Sequence, residues 1–333
     1  MEQLTRERLD LFIDNTAAIK KNFFWDKSMM KRLAAFLYAQ ADKKADCDAI
    51  KQCKDLVKQH TSSVSFFRGD MALCIASLLS LSPDPKGLLD KMREVYDLLF
   101  KTIFHVSYYL AVAAYVIAAN ASPEHYAETI GRMETFYRNM KAKHFLITGQ
   151  DDYIYAALLG LSDANVEELS GRIDNIYDSL KHKFINKDNV QVLALILALN
   201  GSEANPSENV LNLRKAFKDR GVGIDGAYTL PMLGFFTLLN ADANDMINEI
   251  AEVTTYLRAV KGFGPASVMS QELLIYASAF IAGGYASRTQ TQNSQGGAVN
   301  AAVSSAITNI IIAQQTAMII AIITAVSAST SSS

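Results

Sequence analysis

The sequence predicts an all-α fold, in which tandem helical hairpins with a forty-residue period stack into an α/α solenoid. Ser82, Ser122, Ser162 and Ser202 stand forty residues apart, and Asp42 and Asp242 extend the series at both ends. Apolar residues keep the same period. Ile75, Tyr115, Tyr155, Leu195, Phe235 and Ile275 form one column, and Leu79, Ala119, Leu159, Leu199 and Leu239 form another four residues on, which puts both on one helix face. Only six prolines interrupt 333 residues, so long helices are easily accommodated. A helix–link–helix unit of this size cannot bury its apolar face alone, and neighbouring units must stack. A right-handed open array is expected, with closure into a toroid as the alternative.

The elements follow in chain order. Residues 1–26 read as a capping helix, because Leu9, Phe12, Ile13 and Ala17 recur at helical spacing between Leu4 and Ile19. Phe23, Phe24 and Trp25 then read as an aromatic plug on the end of the core. Residues 27–288 hold six hairpins, the outermost two degenerate as capping repeats are. The first helix of each is the more apolar, and the second is amphipathic. Val166, Leu169, Ile173, Ile176, Tyr177 and Leu180 make such a stripe, with Glu167, Glu168, Asp174 and Asp178 between them. Tyr137, Phe217 and Leu257 are in register with Tyr177, whereas Met92, Val95, Tyr96 and Leu99 are displaced by about one residue. Links such as SPDPKG, ASPEH and NGSEANPSEN supply the proline, glycine and capping residues that stop one helix and start the next.

Residues 289–333 differ from the rest: no charged residue occurs among them. Ala306 to Val326 has the length of a membrane span. Asn309, Gln314 and Gln315 interrupt it, however, and no lysine or arginine flanks it. A helix docked on the last repeat, or self-association, is the preferred reading of 298–329, and membrane contact the alternative.

Composition excludes several classes. Half the residues are apolar, a fifth are charged and the net charge is −2, which fits neither a disordered chain nor a general nucleic-acid binder. Cys47, Cys53 and Cys74 form no disulfide framework. The opening MEQLTRERLDLFID lacks the apolar stretch of a secretory signal, so a cytoplasmic location is expected.

Chemical motifs are sparse. The five histidines are scattered, Cys47 and Cys53 have no zinc spacing, and no metal or cofactor is implied. Gly221-Val222-Gly223 reads as a helix stop and Arg68-Gly69-Asp70 as a helix start. The column Ala72, Val112, Asp152, Val192, Met232, Glu272 is apolar except at its two carboxylates. Those acids suit the first turn of a helix, where the macrodipole favours them. With Asp151 they also make the one candidate acid–base set, provided that the array closes and brings them to a common cavity. Arg68, Asp70, Tyr109, Asp151, Asp152, Tyr153, Tyr228 and Glu272 lie near the starts of the apolar helices and form a candidate groove. A non-catalytic binding or scaffold module with a protein or peptide partner is the preferred function. The alternatives are an α/α-toroid hydrolase or lyase using Asp151, Asp152 and Glu272, and a protein acting through its tail.

The run MKAKHFLITGQDDYIYAALLGL followed by VEELSGRIDNIYDSL resembles a bacterial, Bacillus-like family designated domain of unknown function 4003, as does the charge-free ending. The resemblance spans nearly the whole chain. It implies the packing of the family and no activity, substrate or catalytic residue.

Overall fold

Isolated helices shorter than roughly 12–15 residues are marginal in water, so a chain of short helices is held by their packing. The computed structural model describes residues 2–199, 205–226, 229–238 and 242–292. Among these are fourteen α-helices. The first seven are α1 (Gln3–Asn22), α2 (Ser28–Gln40), α3 (Cys47–His60), α4 (Ala72–Leu81), α5 (Pro85–Phe100), α6 (Tyr108–Asn120) and α7 (Tyr126–Lys143). They continue as α8 (Asp152–Gly160), α9 (Val166–Leu180), α10 (Lys187–Leu199), α11 (Pro206–Asp219), α12 (Met232–Leu238), α13 (Ala243–Ala259) and α14 (Ser270–Gln292). Short 3-10 turns, Gly69–Met71 and Pro123–His125, lead into α4 and α7.

This is an all-α, helical-repeat architecture of locally packed helix pairs. The chain divides into two compact units. The first holds Arg6–Glu134 and Gly149–Leu161; the second holds Thr135–Thr148 and the described residues from Ser162 onward, with the first residues of α1. In the first unit α4 packs on α2, α3 and α5, and α6 packs on α5 and α8. In the second, α10 packs on α9 and α12, α11 on α12 and α13, and α14 on α12 and α13.

The two kinds of helix take different places. Even-numbered helices are buried almost all round: Val190 through Ala198 in α10 and Leu73 through Leu79 in α4 have no exposed member. Odd-numbered helices bury one stripe, such as Leu169, Ile173, Ile176, Tyr177 and Leu180 in α9. The two expected inward columns fare differently. Ile75, Tyr155, Leu195, Phe235 and Ile275 are buried and Tyr115 is half-buried, whereas Ala119 in the second column is exposed. In α5 the buried stripe is Leu89, Met92, Val95 and Leu99, and Tyr96 sits at its flank.

Two sequence expectations need correction. The buried stripe of α1 runs through Leu9, Phe12, Asn15 and Ile19, leaving Ala17 exposed, because Asn15 is drawn inward by bonds to the Lys43 carbonyl (3.0 Å) and the Ala45 N–H (2.7 Å). The aromatic run is no plug: Phe23 is buried, but Phe24 is 74 % and Trp25 92 % exposed, the two rings meeting edge to face.

The capping chemistry lies close to the forty-residue markers and, at Asp242, coincides with one of them. Ser82 ends α4, and Asp84 two residues on accepts from the Gly87 N–H at 2.9 Å to start α5. Asn165 does the same for α9 through the Glu168 N–H, and Asp46 caps α3. Asp242 is itself the cap of α13, bonded to the Asn244 and Asp245 N–H groups. Ser202 lies outside the described residues.

Neighbouring odd-numbered helices run parallel. In the second unit Asn139 of α7 bonds Ser170 of α9, and Lys143 reaches Asp174. Ser179 likewise meets Ser207 of α11, while the Lys183 carbonyl accepts from Arg214 at 3.0 Å. The partner number rises with the residue number in both pairs, the signature of parallel axes. In the first unit Asn22 and Asp26 pair with Lys51 and Lys54 in the same order. Acids sit at the starts of these helices, Asp48, Glu167, Glu168 and Asp245 among them. Bases sit at their ends: Lys20 and Lys21, Lys58, Lys141 and Lys143, and Arg258. Each charge thus complements the helix macrodipole.

The three cysteines are free thiols. Burial pushes Cys74 up to about 12 and raises Cys53 and Cys47 as well, and Cys47 is the one with partial exposure. Since the thiolate is the reactive form, a thiol-alkylating reagent applied to the native protein is expected to modify Cys47 first and to spare Cys74. Peptide mapping by mass spectrometry checks the order, and early labelling at Cys74 would contradict it.

Candidate functional site

The links leading from an odd-numbered helix into the next even-numbered one, together with the first turns they lead into, carry the described residues that the sequence singles out. Because parallel helices end in the same direction, these links share one edge within a unit. In the first unit they also touch one another: Lys27 pairs with Asp70 at 3.0 Å, and the Phe66 ring meets Tyr108 edge to face at 5.1 Å.

Arg68 closes the end of α3. Its Nε donates to Thr61 Oγ1 at 3.0 Å, and its terminal nitrogen donates to the Lys58 and Thr61 carbonyls, which α3 itself leaves unsatisfied. Gly69 follows with φ +63°, the left-handed conformation that favours glycine, and a Cβ there would also press on the Tyr108 hydroxyl at 2.9 Å. Asp70 then enters the 3-10 turn before α4. Arg68-Gly69-Asp70 is therefore a helix entry.

Asp151 is exposed and Asp152 is only 2 % exposed. The Oδ2 of Asp152 accepts from the Gly149 N–H at 2.8 Å, which ties the first residue of α8 to the turn before it. Tyr153 is buried at 1 %, its ring against Phe104 and its Oη accepting from the His105 N–H at 3.2 Å. Tyr109 is half-buried at the start of α6. Glu272 is buried in the first turn of α14, in the second unit. Tyr228 lies outside the described residues, as does the tail from 293. Arg68, Asp70, Tyr109, Asp151, Asp152 and Tyr153 thus belong to one unit, with Asp152 and Tyr153 turned into its interior.

The second unit contains a hollow of about 650 Å³ between the ends of α7 and α9 and the start of α10. Lys143, His144, Asp174, Tyr177, Asp178, Lys181, His182 and Lys187 line it. Asp174 accepts from Lys143 and is 3.2 Å from His144 Nε2. The His144 ring lies 4.3 Å from that of Tyr177. Asp178 pairs with Lys181 at 2.7 Å, and the hydrogen bond from Lys181 holds its carboxyl below the usual range. Three lysines against two carboxylates leave the hollow positive, so it favours an anion. A histidine–aspartate pair is present, yet the lining offers no serine or cysteine, and burial raises the Tyr177 phenol away from the nucleophilic form.

The sequence reading passed over this hollow because it weighed histidines and carboxylates, whereas the signal lies in the lysines. Lys101, Lys141 and Lys181 stand forty residues apart in the sequence, with Lys261 eighty further on, each near the end of an odd-numbered helix. Among the described residues no three histidine, cysteine or acidic side chains cluster as a metal site, and no helix is long and apolar enough to cross a membrane.

Neither the curated proteins nor the solved structures include a match to this chain. The family described as "Protein of unknown function (DUF4003)" matches residues 15–317, and the chain belongs to it.

Proposed function

We propose that the protein is a non-catalytic binding module, an open array of hairpins at a forty-residue period whose link edge meets the partner. The observation that carries this reading is the state of Asp152. A general acid or base must reach the substrate, and this carboxylate is 2 % exposed and held by the Gly149 N–H. Glu272, the other acid of its column, is likewise buried. Arg68, Asp70, Tyr109 and Asp151 are the contact residues proposed for the first unit, with Tyr228 as a further candidate, whereas Glu272 is too buried to be one.

Asp152→Ala is expected to lower stability by about 1.5–3 kcal/mol, the usual contribution of a hydrogen bond to a charged group. Urea unfolding measures it. The experiment that tests the function is a screen of glycoside hydrolysis and of elimination from isoprenoid diphosphates. The expected result is no turnover; turnover that disappears in both Asp152→Asn and Glu272→Gln would overturn the reading.

A further inference from the structure

Singly exposed apolar side chains are ordinary on any protein surface, but here, apart from Leu4 at the start of α1 (39 % exposed), they fall in one kind of link. In the first unit, Phe24, Trp25, Val64, Phe100 and Val106 stand exposed, all at or just after the end of an odd-numbered helix. In the second unit the exposed ones are Phe145 at 67 %, Leu146 at 92 %, Ile185 at 103 % and Met269 at 48 %, in the same kind of place. The opposite links, where even-numbered helices hand over to odd-numbered ones, expose no large apolar side chain among the described residues. Those links carry the acidic caps and first turns instead.

In the second unit the apolar tips stand among lysines. Phe145 and Leu146 follow Lys141 and Lys143 directly, and Ile185 lies between Lys183 and Lys187. Thr148 in the first link shares a buried hydrogen bond with Gln191 of α10, the helix that the second link enters, and His144 and Lys187, which lie beside the two tips in sequence, line the positive hollow. The carboxylates of that hollow, Asp174 and Asp178, are engaged by Lys143 and Lys181, whereas Lys183 and Lys187 extend into solvent.

We propose that this edge of the second unit seats on an anionic lipid bilayer, with Leu146 and Ile185 entering the interface, Lys183 and Lys187 facing the headgroups, and the hollow receiving a headgroup phosphate. The proposal rests on the non-catalytic binding reading and names its partner. Charge complementarity selects the occupant, since the edge is basic and its counterpart must be acidic. The form of the apolar surface selects a bilayer over a folded protein. A protein interface has a contiguous apolar core, while separate tips on successive turns suit a fluid surface that closes around each one.

The test uses the full chain and sedimentation with vesicles of phosphatidylcholine alone or with admixed phosphatidylglycerol. Binding is expected on the anionic vesicles only, weakening as salt is raised. Leu146→Ser with Ile185→Ser, and separately Lys183→Glu with Lys187→Glu, are each expected to weaken it at least about tenfold. All four side chains are exposed, so unchanged thermal unfolding will certify that the variants fold. Absence of binding to anionic vesicles overturns the proposal, as does binding that both double variants retain, which would assign attachment to another segment such as 298–329. Retention on polyglutamate beads without vesicle binding would make the edge a protein site and also overturn it. None of these outcomes touches the non-catalytic reading, which falls only if carboxylate-dependent turnover is found.

Discussion

Phe217→Ala is expected to remove about 3–5 kcal/mol of stability, the range for truncating a buried aromatic to alanine. Phe217 is wholly buried in α11, and its ring stacks on Phe236 of α12 at 5.6 Å with the planes 26° apart. The truncation loses the transfer energy of the ring, its contacts with Phe236, and the filling of the space between an amphipathic helix and an apolar one. Neighbours recover little of this, because Val210 and Leu213 on the same stripe are already buried. Phe145→Ala is the matched control: a residue of the same type, 67 % exposed in a link, should change stability by no more than about 0.5 kcal/mol. Urea denaturation of the two variants measures the contrast. Equal effects would mean that burial along the odd-numbered helices is not what holds the unit together.

Gly160→Ala is expected to destabilise by roughly 1–2 kcal/mol, against the direction that helix propensity alone predicts. Gly160 closes α8, and alanine in a helix is worth about 1 kcal/mol more than glycine. The added Cβ, however, would stand 2.7 Å from the Thr129 carbonyl oxygen and 3.0 Å from the Met133 nitrogen, both backbone atoms of α7. Backbone does not swing aside as a side-chain tip does, so α8 must shift, and overpacking of this kind costs about 1–3 kcal/mol. The Gly160 carbonyl also accepts from Arg132 Nε at 3.2 Å, a bond that a shift would stretch. Urea unfolding gives the sign directly: a gain in stability would show that α8 can move away from α7 at little cost.

The alternation of buried and amphipathic helices could be read from the chain because its cause is local. An apolar run such as VQVLALILAL has no polar face to offer water, and the 3.6-residue period of α9 leaves only one dry side. Capping could be read nearly as well, since aspartate and asparagine bond N–H groups two or three residues away. The aromatic run Phe23-Phe24-Trp25 could not be resolved, because composition does not say which of three adjacent rings the turn after α1 directs inward. The hollow beside His144 escaped for a related reason. Its parts come from α7, α9 and α10, and their meeting depends on how far one odd-numbered helix is displaced along its neighbour. Asp152 was rightly placed at a helix start; that its partner is the Gly149 N–H behind it is a matter of turn geometry.

The parallel odd-numbered helices have an electrical consequence that a net charge of −2 conceals. With acids gathered at their starts and bases at their ends, the side chains of these helices make each unit a permanent dipole, while the peptide dipoles of the returning even-numbered helices oppose those of the odd-numbered ones. Such a body experiences a torque in a non-uniform potential before any atom touches. Near a charged boundary it turns until its attracted end leads, so the orientation of first encounter is selected by the long-range field and lost when salt shortens that field's reach.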